Sequence, residues 1–523
     1  MEETMSVQTL ENISVLTKTA FCIILEMTNQ NAYFNEEKYE IYVNDKKYGI
    51  FRENIVTIFD LQPNTDYEIK ARINELEYNV GTKTDNINYL INVKDYNADG
   101  DGVADDTAAI NTAIYTAPRG AVVYFPAGTY MVSQIYLKSN IDIYLEKGSK
   151  IKQIICRKNL SILKGYQKDY YHENAVINAS WEGNPLDTYG SILYGHEVEN
   201  IKIYGQGMID GSGKEGDWWC NPKQKKIAFR PKNIFLNRCH NITFIGISSK
   251  NSASWNIHPY YSDNIYFYQL YLESEKDSPN TDGINPESCH GVTIKGCHFN
   301  VGDDCVAIKS GKYFMSKFDY RPCKDITISN CYMGDGHGGI AIGSEVSCGV
   351  QNLLIEKCYM VGTDRGIRIK SRRGRGAKSI LEGLKFHQLE MKGVRHCLSI
   401  NMFYCCDPDG KSEYVKAKDI MIKDEMTPEI RDIEVCQITA EDISGCAIFM
   451  YGLPESKIKN VMISNSSFAF GMKREEEEPE MLEDFEMIPN LGIFIKNTEE
   501  MIMKDNEFKG HYVSVSDKEE VHE

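Results

Sequence analysis

The sequence contains no apolar run approaching the roughly 18 residues that a membrane-spanning helix needs. Its longest early apolar stretch, Ala20 to Leu25, follows an acidic start, Met1-Glu2-Glu3, where a secretory signal would carry basic residues. It has no Cys-x-x-Cys spacing, so its 16 scattered cysteines suggest no zinc site. Thiols of this kind without a signal are expected to be free in a reducing compartment, which points to a cytoplasmic protein; a secreted chain that had lost its leader would begin the same way. Positive charge is not in excess either. With 58 Lys+Arg against 75 Asp+Glu, the net charge is −17 and the pI about 5.3. An acidic field of this size disfavours nucleic acid and anionic membranes as partners. What is present, 42% hydrophobic and 25% charged residues, is the balance of a folded globular chain.

Two regions differ in pattern. Residues 1–86 alternate, as in Tyr39-Glu40-Ile41-Tyr42-Val43 and Tyr67-Glu68-Ile69-Lys70-Ala71, with turn signals at Asn44-Asp45 and Pro63-Asn64-Thr65-Asp66. This predicts a small β-sandwich. Leu61-Gln62-Pro63-Asn64-Thr65-Asp66-Tyr67 resembles the late-strand turn of fibronectin type III modules, whose tyrosine packs at a corner. Gly81 to Asn88 reads as a linker. The Asp/Gly cluster from Asp99 to Asp106 has the carboxylates of a calcium loop but lacks the later glutamate of an EF-hand. It is read instead as a turn feeding a short helix, with Asp105 or Asp106 as N-cap and Ala108, Ala109, Ile110, Ala113 and Ile114 as its apolar face.

From about residue 195 one pattern recurs, a polar corner followed by a short apolar strand. Ile201, Ile242, Ile265, Val292, Ile326, Leu353, Leu384, Ile433 and Val461 mark its repeats, 41, 23, 27, 34, 27, 31, 49 and 28 residues apart. The short intervals fit one coil of a parallel β-helix, and the long ones fit a coil carrying an inserted loop. Gly and Asn at the corners supply the left-handed backbone positions. A β-propeller, the rival all-β fold, needs longer repeats. The acidic stretch Lys473 to Glu486 is read as a solvated insertion.

Four short segments on successive coils carry the chemistry: Asn280-Thr281-Asp282-Gly283, Gly302-Asp303-Asp304-Cys305, Gly336-His337-Gly338 and Arg368-Ile369-Lys370. Coils stack about 4.8 Å apart, so these distant segments converge on one patch. Crowded aspartates cannot all ionise cheaply, and a protonated carboxyl beside an ionised one is what glycoside hydrolysis by inversion requires. Arg368 and Lys370, two apart, share the outer face of a strand while Ile367 and Ile369 face inward. Adjacent Asp303 and Asp304 would point to opposite faces of a regular strand, so one of them has to sit at a bend or bulge.

The four motifs in this order resemble glycoside hydrolase family 28, the polygalacturonases and their relatives, over roughly residues 90–515. The resemblance implies an all-β fold, a right-handed parallel β-helix (pectin-lyase-like solenoid) preceded by the small sandwich, as in exo-acting bacterial members. It implies hydrolysis of α-1,4-linked galacturonate with inversion. Asp303 is then the general acid, Asp282 and Asp304 orient and deprotonate the attacking water, and His337 steadies the acid's proton. Arg368 and Lys370 bind the sugar carboxylate, with Asn280, Lys309, Trp255 and His258 as further substrate contacts. Trp218 and Trp219, in the polar loop Gly213 to Lys226, are expected to wall a subsite. Arg365, Arg372, Arg373 and Arg375 extend the positive groove or form a solvated loop. Asp335 departs from the family pattern, which has an uncharged residue there. The loop Tyr404 to Lys423 is placed to close one end of the groove and so favour exo action. The expected partner is a pectic oligo- or polysaccharide, and two-carboxylate hydrolysis implies no metal or organic cofactor. Rivals are rhamnogalacturonan or xylogalacturonan hydrolysis, a calcium-dependent pectate lyase and a non-catalytic carbohydrate-binding solenoid.

Overall fold

A computed structural model describes residues 12–28, 33–168, 175–406, 408–473, 481–517 and 521–522. Glu475 to Glu478 and Glu480 of the acidic stretch lie outside them. The alternating segments between Asn12 and Lys83 pair as two antiparallel sheets of three and four strands, sharing a core that includes Ile23, Leu25, Tyr39, Ile41 and Ile69. Their hydrophobic period of two lets each strand bury one face only. At the Leu61–Tyr67 turn the Gln62 amide donates to the Tyr67 hydroxyl at 2.8 Å.

From Tyr89 onward the chain winds into a parallel β-helix. Among the described residues one sheet has fourteen strands and a second thirteen, and each strand hydrogen-bonds its counterparts one coil before and after. The recurring apolar positions form one column: Ile201, Ile242, Ile265, Val292, Ile326, Leu353, Leu384, Ile433 and Val461 pair in that order. Each is 2% exposed or less, so every coil contributes one side chain to the same interior stripe. The residue before the column is left-handed each time, as with Asn200, Asn241, Asn264 and Asn352 at φ 54–56°. Asparagine tolerates this backbone, and its amide also bonds the coil below, as from Asn241 to Asn200 at 2.7 Å. This ladder of parallel coils replaces the blades of the rival propeller.

The helix Thr107–Thr116 covers the first coil with Ile110, Ala113 and Ile114. Asp106 occupies its N-cap position, yet its carboxylate reaches back to the amides of Asp99 and Gly100, while Asp105 accepts from the Thr107 amide. Asp101 accepts from Val103 and Ala104. Backbone donors thus occupy the carboxylates of the supposed calcium loop.

The N-terminal sheets dock on the outer face of the fourteen-stranded sheet. Phe21 stacks on Tyr144 at 4.4 Å, Lys202 pairs with Asp85 at 2.7 Å, and Lys295 pairs with Glu26 at 2.8 Å.

The third sheet carries the functional residues and is broken in its middle. Four strands end at Ile257–Tyr260, and seven resume at Asp304–Ile308, followed by Gly338–Ile342, Arg365–Lys370 and His396–Asn401. Between them the intervening coil is held by bridges alone: Ile284 to Ile257 and Val306, and Glu287 to Tyr260 and Lys309.

Candidate active site

The break in the third sheet is where the aspartates gather. Asp303 lies in a bend and Asp304 begins the strand Asp304–Ile308. Cys305 and Val306 are adjacent, yet both enter the interior core. The strand therefore changes phase just after Asp304, and both aspartates reach the outside. This resolves the parity conflict: the bend frees Asp303, and the phase change turns Asp304 outward.

Asp304 accepts from Arg368 Nη1 at 3.2 Å and from Lys370 Nζ at 2.8 Å. These cations belong to a strand two coils further on, and the strand between them is cut down to let them through. Gly338 pairs with Asp304 in register, and a Cβ at this glycine would stand 2.7 Å from Asp304 Oδ1. Ala341 pairs with Arg368 in the same low stretch. His337 Nδ1 lies 3.4 Å from Asp303 Oδ1, and the His337 amide bonds the Asp303 carbonyl. Asp282 Oδ2 accepts from Asn285 at 2.8 Å and faces Lys309 Nζ at 3.9 Å. Lys309 in turn pairs with Glu345 at 3.2 Å and lies 4.6 Å over the Trp255 ring.

These groups line one pocket of about 260 Å³. Its wall includes Trp255, Asn280, the three aspartates, Lys309, His337, Arg368 and Lys370, as the sequence predicts. Asn280 is held there by Arg230 at 2.6 Å. Ser344, Glu345, Tyr404, Cys406, Met481, Glu182 and Lys223 complete it. Glu345 was legible in principle, since it follows Lys309 by 36 residues, about one coil. Asn285, the donor to Asp282, stands on the same outward column as Ala307 and Arg368, and alternation from Ile284 would have found it.

Four expectations need correction. His258 does not reach the pocket: it is fully buried beneath it, with Nε2 2.9 Å from Glu287, and makes an edge contact with Trp255 at 4.8 Å. Trp218 walls no subsite. It is 2% exposed under the Arg157 guanidinium, 3.6 Å from its ring, so the polar loop around it reflects its surface and not its centre. Arg372, Arg373 and Arg375 are buried, not solvated: Arg373 binds Glu455 and the carbonyls of Tyr414 and Ala417, and Arg375 donates to Ser344. They pin the loops beside the pocket. Finally, burial together with the crowding of like charges favours a proton on Asp282 over one on Asp303.

The electrostatic reason is the neighbours of each acid. Burial, with Asp303 and Asp304 beside it, pushes Asp282 up to about 8. Burial is the largest influence on Asp303 and raises it, but the contact with His337, joined by Lys370, brings the carboxyl below the usual range. The same contact raises His337. Burial of Asp304 is overcome by Lys370 and Arg368, which keep it firmly ionised. Burial of Glu345 is likewise overcome, first by Lys309. Asp303 is also the most open of the trio, with 19% of its side chain exposed against 4% for Asp282 and 2% for Asp304.

The state of Asp282 has a measurable cost. The folded chain keeps a proton that the unfolded chain releases at an ordinary carboxylate pKa, so stability falls as pH rises from about 4 to about 8 and is level above that. Asp282→Asn should remove this slope, raising stability at pH 8 by several kcal/mol while lowering activity. Urea melts at pH 5 and pH 8 measure the difference; equal wild-type and variant slopes would contradict it.

A parallel β-helix with clustered carboxylates and a cation pair on one outer sheet is an arrangement that suits a carbohydrate-cleaving hydrolase. The family model for glycosyl hydrolases family 28 matches residues 172–474, more than half of the chain, and the chain belongs to that family. A probable polygalacturonase of Vitis vinifera is 28% identical over 404 residues, covering 72% of this chain and 74% of the relative. An endo-polygalacturonase of Pectobacterium carotovorum is 29% identical over 317 residues, covering 57% and 72%. The family 28 exopolygalacturonase of Yersinia enterocolitica superposes with a TM-score of 0.72 over 97% of each chain at 17% identity. The protein is thus a glycoside hydrolase of family 28.

Proposed function

We propose that this chain hydrolyses α-1,4-galacturonide bonds in pectic oligo- or polysaccharides from a chain end, with inversion. The observation that carries this reading is the pocket in which three aspartates meet Arg368 and Lys370. Arginine and lysine side by side suit a sugar carboxylate, which separates a uronide from the neutral sugars of the rival hydrolases. Relatives bear both endo and exo names, so the mode of action rests on the pocket. Glu182 and Lys223, 2.7 Å apart, come from insertions before the catalytic coils, while Tyr404, Cys406 and Met481 come from insertions after them. A pocket walled from both directions accommodates a chain end and not a chain interior.

In this reading Asp304, the ionised member, takes the proton of the attacking water, and Asp282 positions that water. Asp303, open to the pocket, gives a proton to the departing glycosidic oxygen. The surroundings of the trio favour a proton on Asp282 in the free site, and in this reading that proton is redistributed within the cluster when substrate binds. Residues 1–86 are part of the proposal as a fibronectin type III-like module, supported by the two antiparallel sheets and the Tyr67 hydroxyl contact.

The test is the product distribution from a long galacturonide oligomer over time. Monomer from the first time point is the expected result, and proton NMR should find the newly formed end as the β-anomer. A spread of intermediate lengths would reject chain-end action, an α-anomer would reject inversion, and an unsaturated product would reject hydrolysis.

A further inference from the structure

Glu345 has no role in the chemistry above, yet it forms part of the pocket wall. The strands Asp304–Ile308 and Gly338–Ile342 place Asp303 and His337 at their beginnings and Lys309 and Glu345 beyond their ends. The acid therefore flanks the pocket on the side away from His337. Its carboxylate is separated from Asp282 by a single ammonium group, Lys309 Nζ, at 3.2 Å from one and 3.9 Å from the other.

An ionised carboxylate in a site for a polyanion repels the sugar's own carboxylate and attracts its hydroxyls. The pocket is thereby divided. Arg368 and Lys370 take the uronate group, and the Glu345 side is left for hydroxyl donors. In an α-1,4-linked chain the O4 of every interior unit is consumed by the glycosidic bond, and a free O4 hydroxyl exists on the non-reducing terminal unit alone. The wall behind Glu345 is tightly packed. The turn Trp181–Asn184 closes on it, with Gly183 at φ +75° and so near that a Cβ there would stand 2.8 Å from Glu345 Cγ. The Lys312 amide bonds the Gly183 carbonyl at 2.9 Å, and the Ser310 amide bonds the carbonyl of Glu345 itself. Turn, acid and strand end form one fixed surface.

We propose that Glu345 is the specificity-determining residue that accepts a hydrogen bond from the O4 hydroxyl of the terminal galacturonate, so that the pocket reads the chain end. This rests on the chain-end galacturonide reading. Lys309, shared with Asp282, couples the presence of a terminal unit to the arrangement of the catalytic acids.

The experiment compares two dimers, digalacturonide and the same dimer with a 4-deoxy non-reducing unit, on wild type, Glu345→Ala and Glu345→Gln. Wild type should favour the hydroxylated dimer by about 10²-fold in kcat/KM, the range expected for a hydrogen bond to a charged acceptor. Glu345→Ala should bring the ratio to within about threefold, and Glu345→Gln, which keeps a neutral acceptor of the same shape, should leave about tenfold. A merely structural role would slow both dimers equally and preserve the ratio. If Glu345→Ala turns over too slowly, calorimetric binding of the two dimers supplies the same ratio. An undiminished preference in Glu345→Ala, or no preference in wild type, overturns the proposal. Failure of the chain-end reading would show separately, as mixed-length products from wild type on the long oligomer.

Discussion

Asp303→Asn is expected to fold as the wild type does and to lose roughly 10²–10⁴-fold in kcat, the range for removal of a positioned acid. The amide keeps the shape of the carboxyl and can still accept the Asp304 amide hydrogen, which Asp303 Oδ1 now accepts at 3.0 Å. What it cannot do is pass a proton to the leaving oxygen. The variant should also release His337 from its anionic neighbour, so the histidine's pKa should fall back toward its ordinary value. Reducing-end release at saturating substrate gives the first quantity, and NMR titration of His337 gives the second. A rate within about tenfold of wild type would remove Asp303 from the chemistry. A lost rate with an unmoved histidine would mean that the Asp303 carboxylate does not set the charge of His337 in solution.

Asp304→Asn should cost stability as well as activity. The Arg368 and Lys370 side chains are each 6% exposed and rest on this carboxylate. An asparagine offers one acceptor oxygen and turns an N–H donor toward the other cation. Breaking a buried ionic group by removing one partner costs about 3–5 kcal/mol, because the remaining charge stays desolvated. The loss should be largest at neutral pH. Asp304 has a depressed pKa when folded, so its contribution is present above the ordinary carboxylate range and disappears only as pH falls through its own lowered titration. Chemical denaturation of both proteins at pH 7 and at strongly acid pH tests this. An unchanged midpoint at neutral pH would show that the carboxylate does not hold the cations.

The parts of the molecule that obey a period were legible in the sequence. The column from Ile201 to Val461 is the register of the fourteen-stranded sheet, because a stacked core demands an apolar side chain at one position of every coil. The aspartates, His337, Arg368 and Lys370 could be brought together by the same counting. What escaped belongs to segments outside the period. The loop around Trp218 reads as polar because its neighbours face water, while its indole packs inward beside Tyr189 at 5.3 Å. Arg372, Arg373 and Arg375 read as surface charge, but their partners, Glu455 and Ser344 among them, come from other coils and leave no local trace. His258 occupies an outward column, and only the chain folded over that stretch of sheet makes it interior. Which acid carries the proton depends on the nearest cation in space, information that a set of motifs does not contain.

Stacking also sets a ruler. Asp304 and Arg368 stand two rungs apart, which separates their strands by about 10 Å, and Arg368 lies three residues beyond Arg365, the position in register with Asp304. No short side chain spans that interval, and the rung between them, carrying Gly338 and Ala341, offers nothing to relay the contact. The length of arginine and lysine is therefore part of the geometry as much as their charge. Moving the carboxylate grip relative to the proton-handling acids is possible only in whole rungs, so the spacing between the two is protected against gradual drift.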